Sequence, residues 1–206
     1  FLAEGNKLVA DLYGHFNCRI LVATGAWLES NSIIKADEII EVQHEEISRA
    51  SLLKNPQDVL AVFDIPSYDT DFTLPRKELC LALDDVQDPG NLGTIIRIAD
   101  WFGIEHIFCS SGTADAFNPK TVQATMGALA RVKLHYCNLS DLITGLSDVP
   151  VFGTFLDGND MYKEELSANG LIVMGNEGNG ISKEISQMIN KRILIPNFPQ
   201  GCETSE

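Results

Sequence analysis

The chain has 206 residues, 45% of them hydrophobic, which suits one sizeable core or two small ones and excludes a disordered, collagen-like or low-complexity protein. Its apolar runs are strand-sized, so no membrane span is expected, and no charged stretch leading into an apolar one marks a secretion signal. The net charge of −14 argues on average against a nucleic-acid partner: 12 acidic residues face 6 basic ones up to Arg76, and 17 face 9 from Lys77 onward.

In chain order, Glu4, Lys7, Leu8, Ala10, Asp11 and Leu12 fall in helical rhythm, and residues 18–23 form an apolar strand. A short helical piece surrounds Trp27. Residues 39–42 make a second strand, residues 44–53 a helix that Asn55 and Pro56 stop, and residues 59–63 a third strand. This alternation predicts a small α/β/α layered domain over residues 1–66. The proline-bearing, aperiodic stretch 67–77 reads as a linker.

A second domain, 78–206, opens with the strand 79–83, continuously apolar as a strand covered on both faces should be. A helix over 91–103 follows, then a strand at 107–109, a helix near 121–129, a strand at 132–134 and a helix over 139–146. Strands at 151–155, 171–174 and 192–195 complete the pattern, with a helix over 182–189, capped by Ser182, between the last two. Strands separated by helical stretches predict a largely parallel sheet between helices, with ligands beyond the carboxyl ends of its strands. The chain opens at Phe1, not Met, and stops at Glu206 just after a loop-like stretch, so further residues are expected at both ends.

Cys18, Cys80, Cys109, Cys137 and Cys202 are odd in number and mostly set in apolar runs, as reduced core cysteines are; His15, His44, His106 and His135 share no ligand spacing, and no structural metal is expected. On the helix from Asn91, the residues Leu92, Ile95, Ile96, Ala99 and Phe102 share a core-facing stripe. Arg97 falls outside it, on the side of Gly93, where the missing side chain lets a substrate or a neighbouring loop approach. The bland alternative for Arg97 is a surface arginine paired with a carboxylate such as Asp100, and for Asn91 a helix N-cap. The run Met174, Gly175, Asn176, Glu177, Gly178, Asn179, Gly180 lies between a strand and a capped helix. It lacks the Lys-Ser/Thr end of a phosphate loop, and Glu177 would repel a phosphate, so it suits a neutral or cationic ligand. The bland alternative is a tight turn with a solvated glutamate. Two further loops, a turn at Asp157, Gly158 and Asn159 and the proline-stiffened stretch 195–201, can reach the same sheet edge and make a pocket suited to a flat neutral base.

Residues 83–97 (LDDVQDPGNLGTIIR) resemble the first motif of the SpoU family of RNA 2'-O-methyltransferases, within the SPOUT superfamily; 173–180 is similar to its second motif and 193–201 to the opening of its third. Residues 1–9 resemble the start of the ribosomal-protein-like domain often fused ahead of it, and Asn118, Pro119, Lys120 with Met126, Gly127, Ala128 fit an intermediate segment.

The resemblance implies an α/β fold: a SPOUT-type parallel sheet with a deep C-terminal trefoil knot, preceded by a small α/β/α ribosomal-protein-like (L30e-like) domain. It implies methyl transfer from S-adenosyl-L-methionine to a ribose 2'-hydroxyl in structured tRNA or rRNA, by a cytoplasmic homodimer without membrane or metal. Arg97, Asn91 and Glu177 match the catalytic positions. Thr154, Phe155, Met174, Gly175, Asn176, Glu177, Gly180, Ile195, Pro196 and Gly201 match the cofactor site. Lys7, Arg19, Arg49 and Lys54 are candidates for RNA contact. The family's third motif continues into a Ser-Leu-Asn segment and a final helix through the knot, which this chain does not reach. A non-catalytic RNA-binding protein keeping the fold is the alternative.

Overall fold

The structure is a computed structural model and describes residues 1–197. The chain forms two compact units. The first holds Phe1–Ser67, Pro89–Ile98 and Asp115–Arg131, and the second Tyr68–Asp88, Ala99–Ala114 and the described residues from Val132 on.

The first unit begins with β1 (Leu2–Glu4), α1 (Asn6–Leu12), β2 (Cys18–Thr24), α2 (Gly25–Ser30), β3 (Glu38–Val42), α3 (His44–Ala50) and β4 (Val59–Phe63). Its sheet runs β1-β4-β2-β3, with β2 and β3 parallel and the other pairs antiparallel. The apolar β4 sits inside, and Leu8, Val9 and Leu12 of α1 are buried at helical spacing. Helix ends follow sequence chemistry: Thr24 caps α2 by accepting from Trp27 N, and Glu46 reaches back to Gln43 N at 3.0 Å. Glu4 belongs to a strand and not to the helical rhythm expected of it. Its buried carboxylate accepts from Leu52 N at 3.1 Å and from the Ser51 hydroxyl, so a charge inside the unit is satisfied by the turn after α3.

Helix α4 spans Pro89–Trp101. It starts two residues before the expected point because proline suits a first helical position, so Asn91 lies inside the first turn and is not the N-cap. Leu92, Ile96 and Ala99 are buried as the stripe predicts. Phe102, beyond the helix end, is 72% exposed and leaves that stripe. A Cβ on Gly93 would overlap the Ala124 side chain of α5 (Pro119–Thr125), so the missing side chain admits a helix, not a substrate.

The second unit is a six-stranded sheet built from β5 (Leu79–Leu83), β6 (His106–Cys109), β7 (Lys133–Tyr136), β8 (Val151–Asp160), β9 (Gly170–Met174) and β10 (Lys191–Leu194). The order is β10-β8-β9-β5-β6-β7 and every pairing is parallel, so all carboxyl ends share one edge. Helices α6 (Leu139–Thr144) and α7 (Lys183–Met188) pack on it, burying Leu142 and Ile185 against Cys80, Ala82, Phe108, Val151, Leu171 and Val173. Ser182 caps α7 by accepting from Ile185 N, as its sequence suggests. Cys18, Cys80 and Cys109 are buried free thiols, and burial pushes the Cys80 thiol up to about 12; Cys202 lies outside the described residues.

Strand β8 departs from expectation. It does not stop at Phe155 for a turn at Asp157, Gly158 and Asn159 but continues to Asp160. Its ladder with β10 jumps instead: Arg192 pairs with Gly153, the next residue, Ile193, pairs with Asn159, and residues 154–158 bow out of register between them.

Candidate active site

The carboxyl edge of the second sheet is organised by side chains that bind backbone. After β5, the buried Asp84 accepts from Ser182 N at 2.7 Å and so holds the start of the α7 segment against the end of β5. Asp85 takes a left-handed conformation, φ 60°, that a residue with a Cβ adopts only at a cost. Ser110 compensates: its hydroxyl accepts from Asp85 N and donates to Asp85 Oδ1, both at 2.9 Å.

The loop after β9 is closed by Asn176 and Gly180, whose backbones exchange hydrogen bonds of 3.0 and 2.9 Å. Inside that ring, Asn176 Oδ1 accepts from Gly178 N and Asn179 N, each at 3.0 Å, while Asn176 Nδ2 donates to the Asp85 carbonyl at 2.8 Å. Gly175 is needed because a Cβ there would overlap the Gly180–Ile181 peptide. Facing this loop, the bowed residues of β8 complete a cavity of about 460 Å³, lined by Thr154, Phe155 and Leu156 on one side and residues 175–181 on the other. Its lining combines apolar Phe155, Leu156 and Ile181 with polar Thr154, Asn176 and Asn179, the acidic Glu177, and three glycines that expose backbone. Such walls can hold a flat, neutral group by shape and main-chain hydrogen bonds.

The model of the SpoU rRNA Methylase family matches residues 78–201, the part of the chain that carries this cavity. The chain belongs to the SpoU methylase family. Residues 1–61 match a second model, that of the MRM3-like substrate binding domain. Among relatives of this SpoU family member, the 23S rRNA (guanosine(2553)-2'-O)-methyltransferase of Bacillus subtilis is 32% identical over 78% of the chain. The chain spans 64% of that relative, less than two thirds of its length. A solved TrmH-family protein from Porphyromonas gingivalis is 40% identical, covers all of the chain and 83% of its own, and superposes with a TM-score of 0.88. An rRNA methyltransferase from Sinorhizobium meliloti, solved with AdoMet bound, is 30% identical over 99% of the chain and 81% of its own, with a TM-score of 0.82.

In this member of the SpoU methylase family, six of the expected cofactor residues meet at one cavity: Thr154, Phe155, Gly175, Asn176, Glu177 and Gly180. Met174 lies half-buried beneath them and uses its carbonyl to accept from Asp84 N at 2.9 Å. Ile195, 57% exposed, and Pro196 follow β10 without lining the cavity, and Gly201 lies outside the described residues. Arg97 and Asn91 are exposed on α4, in the first compact unit.

Of the RNA-contact candidates, Lys7 and Lys54 are exposed, Arg49 Nε donates to the Glu45 carbonyl at 3.4 Å, and Arg19 is held by Asp37 at 3.0 Å and Asp64 at 3.9 Å. Sequence reasoning missed Asp84, whose signal was the acidic pair that directly follows a fully apolar strand. It also missed Leu156 and Ile181, which line the cavity as chain neighbours of expected residues. No helix of the described residues is long and apolar enough to cross a membrane, and no group of three or more His, Cys, Asp or Glu among them could hold a metal ion.

Proposed function

We propose that the protein transfers a methyl group from S-adenosylmethionine to a ribose 2'-hydroxyl of structured tRNA or rRNA. The observation that carries this reading is the cavity between residues 154–156 and 175–181. Its volume suits a nucleoside-sized ligand, its apolar and peptide walls suit adenine, and Glu177 suits a sulfonium while opposing a phosphate. The AdoMet-bound Sinorhizobium relative and the name of the Bacillus relative, a 2'-O-methyltransferase, point the same way.

In this reading Thr154, Phe155, Met174, Gly175, Asn176, Glu177 and Gly180 hold the cofactor, and Ile195, Pro196 and Gly201 add to its site. Bound S-adenosylmethionine supplies an electrophilic methyl carbon and a neutral thioether leaving group, so the chain's own task is alignment and charge placement. The Glu177 carboxylate favours a positive centre in the cavity. Arg97, with Asn91 in support, orients the target's phosphate and stabilises negative charge on the 2' oxygen. A guanidinium pKa above 12 makes Arg97 a donor and not the base, so the proton goes to phosphate or water.

The finer architecture belongs to the same proposal. Residues 1–66 form a ribosomal-protein-like RNA-binding domain using Lys7, Arg19, Arg49 and Lys54, residues 67–77 a linker, and residues 78–206 a catalytic domain with a trefoil knot at its C-terminal end. The protein works as a cytoplasmic homodimer, a reading supported by the apolar side chains of Trp101 and Phe102, 85% and 72% exposed at the end of α4, which a second copy would cover.

Calorimetric titration with S-adenosylhomocysteine, NAD and ATP tests the cofactor, and labelled methyl transfer to total RNA with mapping of 2'-O-methyl sites tests the reaction. Binding of S-adenosylhomocysteine alone and ribose labelling are expected. Preference for ATP or NAD overturns the reading, and cofactor binding without transfer replaces it with the non-catalytic one.

A further inference from the structure

The bowed segment 154–158 supplies one wall of the cavity, yet it has left its strand ladder and needs something else to fix it. One side chain of the neighbouring strand does so at two points. Arg192 lies in β10 opposite Gly153, the last paired residue before the jump. Its guanidinium sits over the Phe155 ring, with Cζ 3.5 Å from the ring centroid. The same group donates through Nη2 to Asp157 Oδ1 at 2.6 Å and through Nη1 to Ser186 Oγ at 3.3 Å. The Asp157 carboxyl is held below the usual carboxylate range, first by this hydrogen bond and then by the charge of Arg192. Gly153 leaves room for the ring edge as well as for Ile189: a Cβ there would lie 2.5 Å from Ile189 Cδ1 and 2.6 Å from Phe155 Cε2.

Arg192 does not line the cavity, whereas Phe155 does. The Arg192–Asp157 pair is exposed, with side chains 41% and 75% accessible, and such pairs contribute little to stability. What the arrangement supplies is a fixed wall. A planar, forked cation can stack on one residue and bind another two positions on, which lysine cannot do equally well.

We propose that Arg192 is a positioning residue for the cofactor: it acts through Phe155 and Asp157 to hold the 154–158 wall in its binding geometry. This rests on the reading of the cavity as the S-adenosylmethionine site. The test is a double-mutant cycle on the full-length protein, with S-adenosylhomocysteine affinity measured by calorimetry for Arg192→Met, Phe155→Leu and the pair. Each single change should weaken binding about tenfold, the scale of a lost cation–ring contact, and the pair by about the same tenfold and not a hundredfold. Arg192→Lys, which keeps the charge but not the fork, should lose about threefold.

Two further readouts separate this idea from general damage and from an error about the ligand. Thermal unfolding of Arg192→Met should stay near wild type, and hydrogen exchange of the amides of residues 154–158 should speed up in that variant without any ligand. Wild-type affinity in Arg192→Met, additive losses in the pair, or unchanged exchange at 154–158 each overturns the proposal. If the wild-type protein fails to bind S-adenosylhomocysteine, the cofactor reading falls and the cofactor role of Arg192 with it. The exchange measurement still shows in that case whether the clamp itself exists.

Discussion

Asn176 Nδ2 donates to the carbonyl of Asp85 at 2.8 Å, so the loops that follow two neighbouring parallel strands, β9 and β5, are fastened by one amide. The same side chain accepts from Gly178 N and Asn179 N, which makes Asn176 the keystone of the 175–180 loop. Asn176→Ala removes all three bonds and should cost about 1–3 kcal/mol of stability, mostly from groups left without partners. Asn176→Asp keeps the two acceptor bonds, loses the donor and should fall between. Chemical denaturation of the three proteins in parallel would reveal this order, and an unchanged midpoint for the alanine variant would contradict it.

Gly175→Ala should be worse than its size suggests. The added methyl has to occupy the space of the Gly180–Ile181 peptide, and backbone cannot rotate aside as a side chain can. The loop must open, with a cost of about 1–3 kcal/mol and loss of S-adenosylhomocysteine binding. Gly145→Ala, outside the cavity lining and with the Leu142 carbonyl at 3.4 Å the nearest atom an added Cβ would meet, is the contrasting control and should bind within about threefold of wild type on the usual scale of surface substitutions.

In the proposed reading Arg97 acts on the RNA; it is exposed on α4 and does not line the cavity, so its replacement should leave cofactor affinity and stability almost untouched. Arg97→Ala is expected to lower the single-turnover methylation rate by about 10²–10³, the range seen when a donor to a developing oxyanion is removed. Arg97→Lys should fall nearly as far at every pH. A rate that recovered as pH rose would assign Arg97 the role of a base.

Acid should destabilise the second unit through a buried imidazole pair. His106 Nδ1 and His135 Nε2 are 2.9 Å apart, and the His135 ring stacks on Phe108 with Tyr68 beside it. Glu78 lies 3.6 Å from His106 Nε2, and Asp71, Glu105 and Lys133 act on the pair from further off. Burial, then the neighbouring His106 and Lys133, lower the His135 pKa to about 4. A histidine whose folded pKa is depressed is stabilising while both states are neutral, above about pH 6.5, and that contribution drains away as pH falls toward 4. Within the window the slope is at most about 1.4 kcal/mol per pH unit for this group. Urea unfolding between pH 7.5 and 4.5 should show the decline, and His135→Gln should flatten it.

Salt dependence can separate the RNA-contact candidates. Reversing the charge of Lys7 or Lys54 should weaken RNA binding and reduce the slope of log affinity against log salt by about 0.7–0.9 each. Arg19 is already matched by Asp37 and Asp64 and should change the slope less. Equal slopes for all variants would move the RNA surface away from this sheet.

Strands with their own apolar run were legible in the sequence: β4 and β5 stand at the residues expected. The three residues of β1 carry no period, and only their pairing with β4 makes them a strand. The loop 174–180 was legible because three glycines between a strand and a capped helix have few other uses. Arg192 was not legible. Its importance depends on a register jump between two strands and on a ring brought beneath it, and neither is encoded in the spacing of residues near position 192.

The pairing of Leu81 with Ile172 places strands at the centre of the sheet that synthesis separates widely. Until β9 has left the ribosome, β5 presents an open row of amides and carbonyls on the side where β9 will insert. The centre of this sheet therefore closes late, folding should be slow for the chain's size, and the nascent protein is most exposed to aggregation in that interval.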